Sequence, residues 1–295
     1  MNFNDLRTFL AVVETESFSR AARQLHITQP AVSKRVQTLE QSLDVQLFDR
    51  VGKSVSLTQA GTVLVPQAQK ILAMLADTER HLRNLSHNIT GTLHLATSHH
   101  IGLHRLAPVL RAFATKYPEV QLNISFEDSE VAHDMVRRGD IELAVVTLNP
   151  QGDRQLHYEP VWHDTLLFVT AQDPAHSGSD ETDNPLDMAT LATRPCVLPG
   201  TGTYTGRIVL QRFAENGISL SPGMSTNYLE TIGMLVSVGL GWSVLPQNMV
   251  GDLQIMDIDC PEMSRSLGCV TNPNRASSNA ARAFVHVVLA FSDVR

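Results

Sequence analysis

Nine residues spaced alternately by four and three, Leu57, Gly61, Leu64, Ala68, Ile71, Leu75, Thr78, Leu82 and Leu85, run through one stretch of this chain. This is a heptad seam, which keeps one face of a helix turned towards a partner helix. At 1.5 Å per residue its 29 or so residues make roughly 44 Å of helix. The spacing predicts a helix over 58–88 that faces another helix rather than a local core. Pro66 interrupts it and should kink the helix or remove one backbone bond. Gly61 and Thr78 weaken the seam further. The stretch Ser86-His87-Asn88-Ile89-Thr90-Gly91 reads as a hinge, so the chain divides into a part before the helix and a part after it.

The 295 residues suggest about two domains at a soft prior of roughly 150 residues each. Hydrophobic residues at 43% supply sizeable cores, and charged residues at 18% are too few for a disordered chain. No apolar run reaches the roughly 18 residues that span a membrane. The start, Met1 to Asp5, shows no basic segment and no apolar stretch of a secretory signal. Cysteines at 196, 260 and 269 make no disulfide framework. A soluble, cytoplasmic protein of a reducing compartment is expected. Net charge is −7, against nucleic acid at first sight. Residues 1–90, however, carry 10 basic and 8 acidic side chains, net +2, and residues 91–295 carry 13 and 22, net −9. From Ser17 to Leu39 there are Arg20, Arg23, Lys34 and Arg35 and no acid. Such a window in an acidic chain is either a solvated helical face or an electrostatic footprint, and position must decide.

Leu6, Phe9, Leu10 and Val13 fall on one face of a first helix. A second helix is expected after Ser19, a good N-cap, through Ala21, Ala22 and Leu25. After the break His26-Ile27-Thr28, Thr28 is placed to cap a third helix, with Pro30 tolerated in its first turn. Val32, Val36, Leu39 and Leu43 continue at helical spacing. Two short helices, a tight turn and a helix with a polar start describe a helix-turn-helix, whose second helix enters a major groove. Gln29 offers an amide pair suited to adenine, Ser33 a hydroxyl, and Lys34 and Arg35 donors for guanine or phosphate. Val45–Arg50 and Ser54–Leu57 read as two strands of a wing that brings Arg50 and Lys53 to the flanking backbone. Many three-helix units bind no DNA, so periodicity alone leaves the question open.

The literal residues narrow it. Phe18-Ser19-Arg20-Ala21-Ala22-Arg23-Gln24-Leu25, Thr28-Gln29-Pro30-Ala31-Val32-Ser33, Leu39-Glu40, Leu47-Phe48-Asp49-Arg50 and Leu57-Thr58-Gln59-Ala60-Gly61 closely resemble the LysR-type transcriptional regulators. Five short motifs occur in the family's order and spacing over about the first 65 residues, and the rest matches in layout. The resemblance implies an α/β chain with an N-terminal winged helix-turn-helix (1–58) and a long linker and dimerisation helix (59–88). It implies a C-terminal effector domain (89–295) with two lobes like a type 2 periplasmic binding protein. By position it implies DNA contacts at Gln29, Pro30, Ser33, Lys34, Arg50 and Lys53, beside the cap Thr28 and the neighbouring Arg35. Where the family often has Arg, Lys34 stands, and it lacks the planar fork that reads guanine. The resemblance further implies an antiparallel homodimer through the linker helix, a homotetramer as a dimer of dimers, and inverted DNA half-sites.

From residue 91 strand and helix signals alternate: Thr92–Thr97, Val120–Phe126 and Ile141–Thr147 as strands, Leu103–Tyr117 and Val131–Arg138 as helices. A second series comes next: strands at Leu166–Thr170, Trp242–Leu245 and Leu253–Ile258, and helices near Tyr204–Asn216 and Tyr228–Val238. Arg265–Thr271 returns as a strand and Ala276–Phe291 closes as a helix. This is an α/β pattern with parallel strands. Leaving one lobe near 162 and returning near 266, the chain forms lobe I from 92–161 and 267–295 and lobe II from 162–266. A ligand is expected in the cleft between them, at strand C-termini and helix N-termini. Candidates are Thr97, Ser98, His99 and His100 after the first strand, Thr147 at the end of the third, Gly200, Thr201 and Thr203 before one helix and Thr226 before another. The family resemblance places effector contacts at Ser98, Thr147, Thr201 and Thr203. Each is alternatively a plain capping or turn residue. Hydroxyl-rich helix starts and histidines lean towards a small organic acid or an oxyanion as effector.

His94, His99, His100 and His104 lack metal-ligand spacing, and Gly200-x-Gly202-x-x-x-Gly206 misses the dinucleotide fingerprint, so no metal or cofactor is expected. Cys196 reads as a structural thiol rather than a redox sensor. No nucleophile elbow, P-loop or EF-hand occurs, so no enzyme is expected. Gln172–Pro185 is polar and acidic and reads as a surface loop, with Pro150–Gln155 a shorter one. The expected function is sequence-specific binding of double-stranded DNA, modulated by a small-molecule effector, with no membrane partner. The competing reading is a small-molecule binder or enzyme that uses its N-terminal domain only to dimerise.

Overall fold

The computed structural model describes residues 1–51, 54–85, 88–172 and 185–294. The expectations for Lys53, for Ser86 and His87 of the hinge, and for most of the acidic loop (173–184) lie outside the described residues. The chain forms two compact units, Met1–Leu85 and Ser86–Arg295.

In the first unit α1 (Phe3–Thr15), α2 (Phe18–Gln24) and α3 (Gln29–Leu43) precede the strands β1 (Phe48–Val51) and β2 (Ser54–Leu57) and the helix α4 (Gln59–Arg83). Polar side chains start each helix: Asn2, Ser17, Thr28 and Thr58 accept the N–H groups of Asp5, Arg20, Ala31 and Gly61. The cap of α2 is thus Ser17, not Ser19. Ser17 has the extended backbone a cap requires, while Ser19 already lies in the first turn. Between α2 and α3 the chain reverses at His26, whose φ of 52° is left-handed. Leu6, Phe9, Val12, Val32, Val36 and Leu39 close the core under the wing residues Leu47 and Phe48. The rings of Phe9 and Phe18 stand 5.4 and 5.7 Å from that of Phe48. The wing is antiparallel, with Phe48 opposite Leu57 and Asp49 opposite Ser56.

α4 departs from the expected seam in its first half. Ala68 is fully buried in the unit's own core, and Leu64, Val65, Ile71 and Leu72 pack beside it. Further along, Met74 and Leu82 stay 71% and 64% exposed. Gly61, read as a weakness, is a close approach: a Cβ there would meet the Leu47 carbonyl oxygen at 2.2 Å. The glycine lets α4 lie against the chain entering the wing.

The second unit opens with β3 (Gly91–Thr97), α5 (His99–His104), α6 (Leu106–Lys116), β4 (Val120–Phe126), α7 (Ser129–Arg138) and β5 (Leu143–Thr147). The long β6 (His157–Thr170) leads to α8 (Met188–Ala192), β7 (Val197–Leu198), α9 (Tyr204–Glu215), β8 (Met224–Ser225) and α10 (Leu229–Ser237). Then come β9 (Ser243–Pro246), β10 (Gln254–Ile255), β11 (Met263–Thr271) and α11 (Asn279–Leu289). The expected helix over 103–117 is two: it breaks at Arg105, whose guanidinium reaches Asp164 at 2.8 Å.

The parallel strands expected here are only part of a mixed sheet. β3 lies parallel to β4 and β5, but β11 is antiparallel to both β5 and β6, and β6 is antiparallel to β9 and β10. The seven strands run in the order β10-β6-β11-β5-β3-β4, with β9 also on β6. The cause is the return of the chain. β6 and β11 run side by side through both lobes, and two neighbouring strands that cross in opposite senses must be antiparallel. Val161 and Trp162 of β6 pack with Leu93, Phe113, Leu143 and Phe284 in one lobe. Leu166 and Phe168 of the same strand pack with Phe213, Trp242 and Val244 in the other. The register slips between Leu267 and Gly268, beside Trp162 and Pro160. A Cβ on Gly268 would meet the Glu159 carbonyl oxygen at 2.2 Å. Backbone against backbone has no side chain that can yield, so Gly268→Ala should cost about 1–3 kcal/mol of stability. A urea unfolding midpoint equal to that of the wild type would contradict this.

Candidate functional site

Two regions of the chain concentrate polar groups. The first is the start of α3. Thr28, Gln29, Pro30 and Lys34 are exposed, and Ser33 and Arg35 are half-buried, while Val32 and Val36 anchor the opposite face. Gln29 Nε2 donates to Ser33 Oγ at 2.9 Å, one turn on, so the two polar groups present a common edge. Glu40 is buried at the far end of the helix, and its Oε1 accepts the N–H groups of Leu47 at 2.8 Å and Phe48 at 3.4 Å. Thr58 Oγ1 donates to the Gln46 carbonyl at 2.7 Å. The wing is therefore tied to α3 by a carboxylate and to α4 by a hydroxyl. Arg50 lies in β1, with only its backbone described.

The second region lies between the lobes of the Ser86–Arg295 unit. A cavity of about 40 Å³ is lined by Ser98, His100, Ser129, Thr147, Thr203 and Arg265, among others. Of the residues expected there, Ser98, His100, Thr147 and Thr203 come together. Thr97 is turned into the core, its hydroxyl donating to the Val145 carbonyl at 2.8 Å. His99 is exposed, its ring against those of Phe126 and Tyr228. Gly200 supplies an N–H to Asn227 Oδ1 at 3.2 Å, Thr201 is exposed, and Thr226 Oγ1 accepts the Tyr228 N–H at 3.4 Å; none of the three lines the cavity.

The most buried charge in the cleft, Arg265, was missing from the expectation. Its guanidinium bonds Asp164 Oδ2 at 3.0 and 3.3 Å, Thr205 Oγ1 at 2.8 Å and His100 Nε2 at 2.7 Å. On the other side Asp164 Oδ1 accepts from Arg105 at 2.8 Å. Burial pulls the Arg265 pKa down, and Asp164 opposes this. A signal existed: Met263, Arg265 and Leu267 share the inward face of β11, so a charge stands in an apolar row. Ser129 and Glu130 were also unforeseen.

Because Arg265 can only donate, His100 Nε2 accepts, and the proton sits on Nδ1, 3.3 Å from Ser98 Oγ. Burial first, and then Arg265, hold the His100 pKa well below the ordinary histidine value. The imidazole stays neutral when folded, whereas in the unfolded chain it takes up a proton below about pH 6.5. Unfolding then binds a proton there. The stability contributed is complete above about pH 6.5 and is lost as the pH falls. His100→Gln should flatten the fall between about pH 6.5 and 5, relative to wild type, by up to about 1.4 kcal/mol per pH unit. Parallel losses in urea unfolding of the two proteins would contradict the assignment.

Among the described residues no group of three or more His, Cys, Asp or Glu is placed to hold a metal ion, and His104 pairs with Glu230 at 3.1 Å. Cys196 is buried, and burial pushes its thiol pKa up. No helix among the described residues is long and apolar enough to cross a membrane.

Residues 3–62 match the family model of bacterial regulatory helix-turn-helix proteins of the lysR family, and residues 86–292 match that of the LysR substrate binding domain. An uncharacterized HTH-type transcriptional regulator of Azotobacter vinelandii is 58% identical over 108 residues, 37% of this chain and 75% of the relative. A "Probable RuBisCO transcriptional regulator" of Cyanidioschyzon merolae is 31% identical over 300 residues, 97% of each chain. A full-length OxyR variant of Pseudomonas aeruginosa shares the fold, with a TM-score of 0.67 at 22% identity over 98% of this chain and 94% of that one.

Proposed function

The chain belongs to the LysR family of bacterial transcriptional regulators, and from that premise we propose that it reads a specific DNA sequence under the control of a small anionic effector bound between its lobes. The observation that carries the DNA half is the start of α3, exposed and polar in a stretch with four basic side chains and no acid. In this reading Thr28, Gln29, Pro30, Ser33, Lys34 and Arg35 enter the major groove, and Arg50 and Lys53 of the wing meet the flanking phosphates. Residues 1–58 act as the DNA-binding domain, 59–88 as the dimerisation helix and 89–295 as the effector domain, in the cytoplasm where the DNA lies. The exposed apolar side chains in the second half of α4, Met74 and Leu82, suit a second copy, giving an antiparallel homodimer and, by pairing of dimers, a homotetramer.

The effector reading rests on the cleft: the starts of α7, α9 and α10 and the buried Arg265 meet around one cavity. Helix starts direct N–H groups and partial positive charge at whatever lies there, which suits a small organic acid or an oxyanion. Ser98, His100, Thr147 and Thr203 then supply orienting groups. The effector shifts the balance between two lobe arrangements by its differential affinity for them, and so the geometry of the paired DNA-binding units.

Gln29→Ala should relax sequence preference in a binding-site selection. Lys34→Ala should weaken all sequences alike and reduce the slope of log affinity against log salt by about one. An unchanged preference, or an unchanged slope, would remove that residue from the interface. For the effector, a thermal-shift screen of the full chain against small carboxylates, sulfate, phosphate, amino acids and aromatic acids should give one responding anionic class. Saturation at about 100-fold over Kd adds about 2.7 kcal/mol. No response across the panel, with DNA binding intact, would overturn the anionic reading.

A further inference from the structure

Glu130 is the second residue of α7 in one lobe, yet its carboxylate accepts the backbone N–H of Tyr204, the first residue of α9 in the other. Two positions earlier, Asp128 Oδ2 accepts from Asn227 Nδ2 at 2.6 Å, again across the cleft. Arg207, in the first turn of α9, stands 3.9 Å from the same Glu130 oxygen. The first N–H groups of a helix have no partner within it. At α9 the third is met by Thr203 Oγ1 at 3.0 Å and the first by Glu130. The donor that an incoming anion would meet there already holds a carboxylate of this chain. The other cation of the cleft, Arg265, is bonded to Asp164. The space left, about 40 Å³, has room for only a few water molecules at roughly 10–15 Å³ each.

We propose that Glu130 is an internal competitor for the effector: its carboxylate occupies the anion subsite at the start of α9, and a carboxylate or oxyanion binds there by displacing it. The inference rests on the anionic reading of the cleft given above. Two anions cannot share one N–H in a confined site, because like charges at that distance disfavour each other. Glu130 must therefore swing out when the effector arrives, and the adjacent Asp128–Asn227 link loses its support. Burial already holds the Glu130 pKa above the ordinary carboxylate range, so the ionised group gains hydration by leaving. Selectivity is a consequence. A ligand carrying its own negative charge replaces Glu130 like for like at the helix start, whereas a neutral ligand of the same shape leaves that position to Glu130.

The test uses the full chain as wild type, Glu130→Gln, Glu130→Asp and Glu119→Gln, the last an exposed acid before β4 that controls for net charge. Acetate and sulfate at constant ionic strength are the probes. Affinity is read by calorimetry, and hydrogen exchange is read on peptides covering residues 199–206. Glu130→Gln should bind the probes at least tenfold more tightly than wild type and Glu119→Gln. Its 199–206 segment should exchange faster without probe and slower with it. Glu130→Asp, which keeps the charge but falls short of Tyr204, should lie between, and it decides the matter if the glutamine variant folds poorly. Equal affinity in all the proteins, with slowed exchange at 199–206, overturns the competition and leaves the cleft reading standing. Failure of both probes to bind any of the proteins overturns the competition together with the reading it rests on.

Discussion

Asp164 and Arg265 sit opposite one another on neighbouring antiparallel strands, and the effector domain is arranged around keeping them paired. Each is 2% exposed at its side chain, and each would cost several kcal/mol in such a place without the other. The pair alone does not satisfy the guanidinium, which also needs Thr205 from α9 and His100 from α5, while the carboxylate takes Arg105 from the break between α5 and α6. Five segments from both lobes are held by one charge pair. That explains why His100 must stay neutral: a protonated imidazole would place a second cation against Arg265.

Carboxylates recur in this chain as acceptors for backbone N–H groups of other elements. Glu40 holds the entry to the wing, Glu130 holds the start of α9, and Glu142 accepts the Ser278 N–H at 2.8 Å ahead of α11. In each case the acid stands where the chain arrives from another part of the unit and leaves N–H groups unpaired. A charged acceptor makes a stronger bond than a neutral one. The acidity of the second unit is therefore partly structural.

How much of this was legible in the sequence depends on how local each signal is. The helix-turn-helix was readable because Thr28, Pro30 and the Val32-Val36-Leu39 spacing lie within a dozen residues. Ser19 was mistaken for Ser17 because both are serines two positions apart and only backbone geometry tells a cap from a first-turn residue. The first nine residues of β6 were invisible as a strand, since His157, Glu159, Pro160, His163 and Asp164 break any apolar run. Their partner β11 lies a hundred positions on. Ser98, His100 and Thr203 could be placed in the cleft because each stands between a strand and a helix, and Thr147 because it ends a buried strand. Glu130 could not: an acid in the first turn of a helix is what the helix dipole alone would favour. Nothing in the sequence says that it reaches 74 positions further to Tyr204. The first half of α4 misled for the opposite reason, because a heptad seam looks the same whether it faces a second chain or its own domain.

The two long strands that serve both lobes bear on how the effector domain comes apart. Val161 and Trp162 belong to one core, Leu166 and Phe168 to the other, and Leu166 lies only one short step along the same strand from Trp162. Melting either lobe alone would strip β6 and β11 of half their side-chain packing while leaving the buried ion pair between them exposed to water on one side. Such a half-melted state lacks the independence that lets a foldon open by itself. The two cores are therefore expected to unfold together. Resistance to partial denaturation thus comes from the pair of strands that both cores share.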